Sequence, residues 1–97
     1  MTWQPVVTPL FRRRKKKAAH RLQEAIDTAA RAILANPLIG EPKVEALKGV
    51  HVHKFKHQGL DYLVAYGLQT RKRLIQFLAA GPHENFYRNL QRALLRR

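Results

Sequence analysis

A histidine, a glutamate and a tyrosine fall within five residues of one another near the end of this chain, as His83, Glu84 and Tyr87. They follow a strand-like run, Leu74-Ile75-Gln76-Phe77-Leu78-Ala79-Ala80, and a Gly81-Pro82 step, and they precede a basic amphipathic tail. The pattern places them at a strand-to-helix corner, where rigid scaffolds commonly expose catalytic groups. Upstream, Lys54 and Lys56 alternate along a second strand-like run. An imidazole that titrates near neutrality, a phenol and two paired cations are the parts an acid–base reaction at a phosphate requires.

Each of these residues also has a plainer reading. His83 can cap a helix or sit on the surface. Tyr87 can pack on a sheet, and Glu84 suits the positive end of a helix dipole. Alternating lysines on a strand commonly form its solvated face. His51, His53 and His57 also alternate, and residues i and i+2 on a strand can share a metal. No acidic or cysteine ligand lies close by in sequence, and Phe55 shares their face, so no metal site and no cofactor are expected.

The composition supports an anionic partner. The 97 residues carry 19 Lys and Arg against 6 Asp and Glu, a formal charge of +13, and such a surface attracts polyanions. Nucleic acid leads, with an acidic protein as competitor. An apolar fraction of 45% is ordinary for one small globular domain. Such a core is marginal and gains from a partner. The absence of cysteine excludes disulfide and thiolate–metal frameworks and fits a reducing cytoplasm. No signal peptide is expected from Met1-Thr2-Trp3-Gln4-Pro5, and no run approaches a membrane span.

The elements that must position the chemical residues follow from periodicity. Residues 3–8 read as a short edge strand, because Pro5 is tolerable only at an edge. Residues 10–35 read as helix, with Leu22, Ala25, Ile26, Ala29 and Ile33 on one stripe and Asn36-Pro37 as its stop. Its first turns carry Arg12, Arg13, Arg14, Lys15, Lys16 and Lys17, six consecutive cations that weaken the segment unless phosphates or carboxylates lie nearby. Residues 36–49 form a Pro- and Gly-rich connection in which Leu38, Ile39, Val44 and Leu47 are expected to tuck against the core. Three strand-like runs follow, at 50–57, 60–68 and 71–80, joined by Gln58-Gly59 and Gln69-Thr70 turns into an antiparallel meander. Period two puts Lys54 and Lys56 on the face of Val50 and Val52, and His51, His53, Phe55 and His57 on the other. Residues 84–97 read as a helix with Phe86, Leu90, Ala93 and Leu94 inward, and Glu84 and Arg96-Arg97 at its charged ends. The expected class is α+β: a small, about four-stranded antiparallel sheet, with a long N-terminal helix or helical hairpin on one face and a short C-terminal helix. The other face is expected to stay open for binding.

In this order, Asn36-Pro37-Leu38-Ile39-Gly40, Leu47-Lys48-Gly49-Val50, Val52-His53-Lys54-Phe55-Lys56, Tyr62-Leu63-Val64-Ala65-Tyr66 and Gly81-Pro82-His83-Glu84-Asn85-Phe86-Tyr87-Arg88 resemble the RelE/ParE superfamily of toxins from toxin–antitoxin pairs. The resemblance covers about residues 10–97. It implies a cognate antitoxin that wraps the toxin in a hetero-oligomer. It also implies one of two activities: the RelE-like branch cleaves mRNA on the ribosome, whereas the ParE-like branch inhibits DNA gyrase and has no nuclease site. By position, Lys54 and Lys56 fall on the RelE branch's strand lysines and Tyr87 on its C-terminal catalytic tyrosine. His83 falls where RelE has an arginine, and Leu63 where RelE has a phosphate-contacting strand arginine. Arg71 or Arg73 is the candidate to supply the missing cation. The 12–17 run and Arg88 are candidate RNA contacts, extended by Arg92, Arg96 and Arg97, and His53 or His57 is a candidate contact at the site's edge. The expected activity is a metal-independent endoribonuclease that inhibits translation in the cytoplasm, with gyrase inhibition or plain nucleic-acid binding as the alternatives.

Overall fold

The computed structural model describes residues 2–95. The chain runs β1 (Gln4–Val7), α1 (Pro9–Lys17), α2 (His20–Ala35), β2 (Glu41–Pro42), a 3-10 turn (Glu45–Leu47), β3 (Val50–His57), β4 (Leu60–Gln69), β5 (Leu74–Pro82) and α3 (Phe86–Leu95). The class is α+β, but the sheet has five strands in the order β1-β5-β4-β3-β2 and is mixed. The meander β3-β4-β5 is antiparallel as expected, whereas β1 joins β5 in parallel.

The helix expected over 10–35 is a hairpin of two helices, broken where Ala18 turns to ψ 152°. A straight rod of that length would measure about 39 Å at ~1.5 Å per residue. That exceeds the molecule's longest extent of 36 Å. The break falls directly after the cationic run, so those charges sit at the carbonyl end of α1, where the helix dipole favours them. Gln23 donates its side-chain amide to the carbonyls of Lys16 and Ala18, occupying acceptors that the break leaves open. Thr8 caps the start of α1 by accepting from the Phe11 amide, with Pro9 in the first turn.

Both sheet faces carry a core. On one, α1 and α2 bury Phe11, Ile26, Ala29 and Ile33 against Val64, Tyr66, Ile75 and Phe77. On the other, α3 buries Phe86 and Leu90 against Val50, Val52, Leu63, Ala65, Leu78 and Ala79, with Leu47 at the margin. The open face expected from the sequence is therefore half closed. A bulge makes this possible: the register passes from Ala65↔Ala79 to Tyr66↔Phe77 and skips Leu78, so two successive residues of β5 serve the α3 side. Of the four connection residues expected in the core, only Leu47 is buried; Leu38, Ile39 and Val44 are exposed. What anchors that connection is Tyr66, whose buried hydroxyl donates to the Pro37 carbonyl at 2.7 Å and accepts from the Gly40 amide at 2.9 Å.

The Gln58-Gly59 turn has φ 53° and 80°, the two positive angles that a type I′ hairpin requires. The second turn is longer than expected and occupies residues 70–73, with β5 beginning at Leu74. Glu84 precedes α3, which starts at Phe86, so it is not in the helix's first turn. Arg96 and Arg97 lie outside the described residues.

Candidate functional site

The hairpin register sets the cations first. Lys54 stands opposite Leu63 and Lys56 opposite Asp61, and directly paired residues share a face. That face is the α3 side, because Val50 and Val52 precede them at alternate positions in its core. The α3 cover ends before Lys54 and Lys56, which remain exposed.

The corner after β5 brings the titratable groups to the same end of the sheet. The His83 amide donates to the Asp61 carbonyl at 3.0 Å, so the histidine is tied to β4 one step from the Lys56 pair. Asn85 then adopts φ 61°, a left-handed angle that asparagine tolerates, and turns the chain into α3. This puts Tyr87 beside His83, with ring centroids 6.1 Å apart in an edge-to-face arrangement. Tyr87 is half-buried, its ring also edge-on to Phe86 at 5.7 Å.

Two further ionisable groups, neither among the candidates named from the sequence, complete the site. The Asp61 carboxylate lies 3.1 Å from the Lys56 ammonium. The Lys56 ammonium beside it holds its pKa below the ordinary carboxylate value, against a smaller opposing effect of burial; the charges of Lys54 and His83 act in the same direction as Lys56. Asp61 was legible: a two-residue turn at Gln58-Gly59 pairs 57 with 60 and so 56 with 61. Lys43 was not, because its position depends on the two-residue strand β2. Its ammonium sits 5.0 Å from the Tyr87 ring centroid and 3.0 Å from Glu41. The Glu41 carboxylate that it hydrogen-bonds, and then the neighbouring Tyr87 phenol, raise its pKa above the usual lysine value, opposed by burial. Contacts therefore run in sequence from Lys56 to Asp61, His83, Tyr87 and Lys43.

Other candidate residues lie elsewhere. Arg71 and Arg73 occupy the turn at the far end of β4 and β5, separated from His83 by the whole nine-residue length of β5, roughly 30 Å along the strand. Neither fills the gap at Leu63, and Arg73 instead stacks on Trp3, 4.6 Å from the ring centroid. Leu63 itself is buried in the α3-side core. His53 and His57 project from the opposite face, on the helix side; burial lowers the His53 pKa, and His57 lies edge-on to Tyr62. His51 stacks on Tyr66 on that same side. Among the described residues no group of three or more His, Cys, Asp or Glu side chains is gathered as a metal site.

On α1, Arg12, Arg13, Arg14, Lys16 and Lys17 are exposed, while Lys15 is half-buried and pairs with Asp27 of α2. Arg13, Arg14 and Arg92 line the cleft between α1 and α3, and Glu84 faces a neighbouring hollow with Arg14. Arg88 is exposed on α3, next to Tyr87. No helix among the described residues is long and apolar enough to cross a membrane.

Solved structures share this fold. The RelBE2 toxin–antitoxin complex of Mycobacterium tuberculosis contains a chain 20% identical, with a TM-score of 0.73 over 86% of this chain and 100% of that one. An arginine-substituted mutant of the E. coli toxin RelE in the free state is 16% identical, with a TM-score of 0.76 over 99% and 98%. The intact E. coli RelBE toxin–antitoxin complex gives 16% identity and a TM-score of 0.68 over 84% and 98%. No curated protein sequence matches the chain. At these identities the structures speak for the fold alone. Membership comes from the family model, which matches residues 6–91: the chain belongs to the ParE-like toxins of type II bacterial toxin–antitoxin systems, within the RelE/ParE superfamily.

Proposed function

We propose that this toxin is a ribosome-dependent mRNA endonuclease. The observation that carries the reading is the run of contacts that brings a strand cation, an imidazole and a phenol to one corner: the Lys56 ammonium beside the Asp61 carboxylate, the Asp61 carbonyl bonded by the His83 amide, and the His83 ring against Tyr87. The RNA 2′-oxygen attacks the adjacent phosphorus, a 2′-O–P bond forms and the P–O5′ bond breaks. A base takes the 2′ proton and an acid returns one to the leaving 5′-oxygen. The products are a 2′,3′-cyclic phosphate and a 5′-hydroxyl. Lys54 and Lys56 hold the phosphate and offset the charge that builds on it. His83 is the acid or the base, because an imidazole can both accept and donate a proton, and Tyr87 positions the nucleotide. No step draws on a metal, and DNA is not a substrate because it lacks the 2′-hydroxyl.

The exposed cations of α1, with Arg88 and Arg92, bind the backbone of RNA around the site. An antitoxin neutralises the protein in a hetero-oligomer; similar structures that are toxin–antitoxin complexes support such a partner. The activity belongs in the cytoplasm, where ribosomes and mRNA meet. A translation extract tests it. The wild-type chain is expected to cut ribosome-bound mRNA, and His83→Ala and Tyr87→Ala to lose that activity. Intact mRNA with the wild type, or variants that cut as well as the parent, would refute the assignment.

A second reading, inhibition of DNA gyrase without nuclease activity, is favoured by one observation: the buried Leu63 leaves β4 without a cation beside Lys54. A supercoiling assay separates the two, because gyrase poisoning with no RNA cleavage selects the second.

A further inference from the structure

We infer that Lys43 is a phosphate-binding residue of this site, the third cation that Leu63 fails to supply. The inference rests on the nuclease reading for its context, but its geometry stands on its own. Glu41 pairs with Val52 and Pro42 with His51, and the Lys43 amide donates to the Val50 carbonyl. The register therefore continues to Lys43 opposite Val50, which puts its side chain on the face that carries Val50, Val52, Lys54 and Lys56. Three lysines from two strands thus point to the α3 side, and Tyr87 lies between the corner at His83 and the Lys43 ammonium.

The placement of this lysine differs from that of a solvated surface lysine. Its side chain is only 22% exposed, against 73% for Lys56. Its charge is seated over an aromatic face, where a cation is attracted by the ring quadrupole. The one carboxylate that neutralises it, Glu41, is 76% exposed and weakly held. A phosphate arriving beside Tyr87 can replace Glu41 as the counterion while Lys43 keeps its seat. The same seat restricts Tyr87: with the Lys43 ammonium 5.0 Å from the ring centroid and the His83 and Phe86 rings packed against it, the phenol is held beside the cation.

The test uses the full chain and a single-stranded RNA oligonucleotide with 2′-O-methyl groups, which binds without being cut. Affinity is measured across a salt series. One phosphate contact on a single strand contributes about 0.7 to the slope of log K against log salt. Lys43→Met is expected to flatten the slope by about that amount and weaken binding roughly tenfold at low salt. Lys43→Arg, which keeps the charge and the aromatic seat, should restore both. Glu41→Gln removes the competing carboxylate without touching the packing of Lys43, and should tighten binding several-fold. A Lys43→Met slope equal to the wild type, or Glu41→Gln binding that is unchanged or weaker, overturns the inference. If Lys43→Met does not fold, Glu41→Gln alone decides. Because the probe cannot be cleaved, a wild-type chain that fails to cut mRNA refutes the nuclease reading and leaves this result to be judged separately.

Discussion

Tyr66→Phe removes one oxygen atom and tests whether a single buried hydroxyl holds the 36–40 connection, and through it β2 and Lys43. In the native protein Tyr66 is 0% exposed, and its hydroxyl bonds both the Pro37 carbonyl and the Gly40 amide. Two hydrogen bonds with a net worth of ~1 kcal/mol each suggest a loss of about 2 kcal/mol. The Gly40 amide is buried, so if the connection does not relax to hydrate it, the loss rises toward ~3 kcal/mol. For a domain of this size that corresponds to a drop in Tm of roughly 8–24 °C. Urea unfolding of wild type and variant measures the difference, and amide exchange at Gly40 should speed up at least tenfold while exchange in β4 changes only with global stability. Gly40→Ala attacks the same contact from the other side, because a Cβ there would lie 2.6 Å from the Tyr66 hydroxyl oxygen. The double variant should be less destabilised than the two single losses added together. A Tyr66→Phe loss below about 0.5 kcal/mol, with Gly40 exchange unchanged, would show that the connection is held by something else and refute the reasoning.

Three further outcomes are expected. Burial lowers the His53 pKa below its ordinary 6.5, so the unfolded chain takes up the proton first as pH falls; stability should decline below about pH 6.5, and a His53→Gln variant followed by urea midpoints should show a shallower decline. Asp61→Asn frees Lys56 from its 3.1 Å partner and should tighten binding of a non-cleavable RNA oligonucleotide, whereas weaker binding would show that the carboxylate organises the site. Replacing the exposed Lys16 or Lys17 with Gln should flatten the salt dependence of RNA binding by about 0.7 for each phosphate that is no longer neutralised. Lys15→Gln should change it less, because Lys15 already pairs with Asp27, and equal slopes for all three would argue against selective contact.

The meander strands and the site's charged residues other than Lys43 were legible because their signals are local. Alternation over 50–57 matches β3 to the residue, and the Gln58-Gly59 turn sets the β3–β4 register that opposes Lys56 with Asp61. The strand-to-helix corner follows from Gly81-Pro82 ending an apolar run before an amphipathic one. Other features depend on distant partners. The break at Ala18 carries no proline or glycine, and a straight rod over 10–35 would outrun the molecule's longest extent of 36 Å.

The amino-acid order alone thus determined which residues are basic, which strands pair as a meander, and that an imidazole and a phenol share one corner, since each depends on neighbours a few bonds or one turn away. Tertiary structure decided the rest. The bulge at Leu78 turned two consecutive side chains toward α3 and closed half of a face that periodicity left open. Tyr66, from the middle of β4, drew the 36–40 connection to the sheet, and β2 then delivered Lys43 to the Tyr87 ring. The Tyr66 and Lys43 contacts join residues more than twenty positions apart, and all of these energies depend on burial and packing that no local pattern encodes.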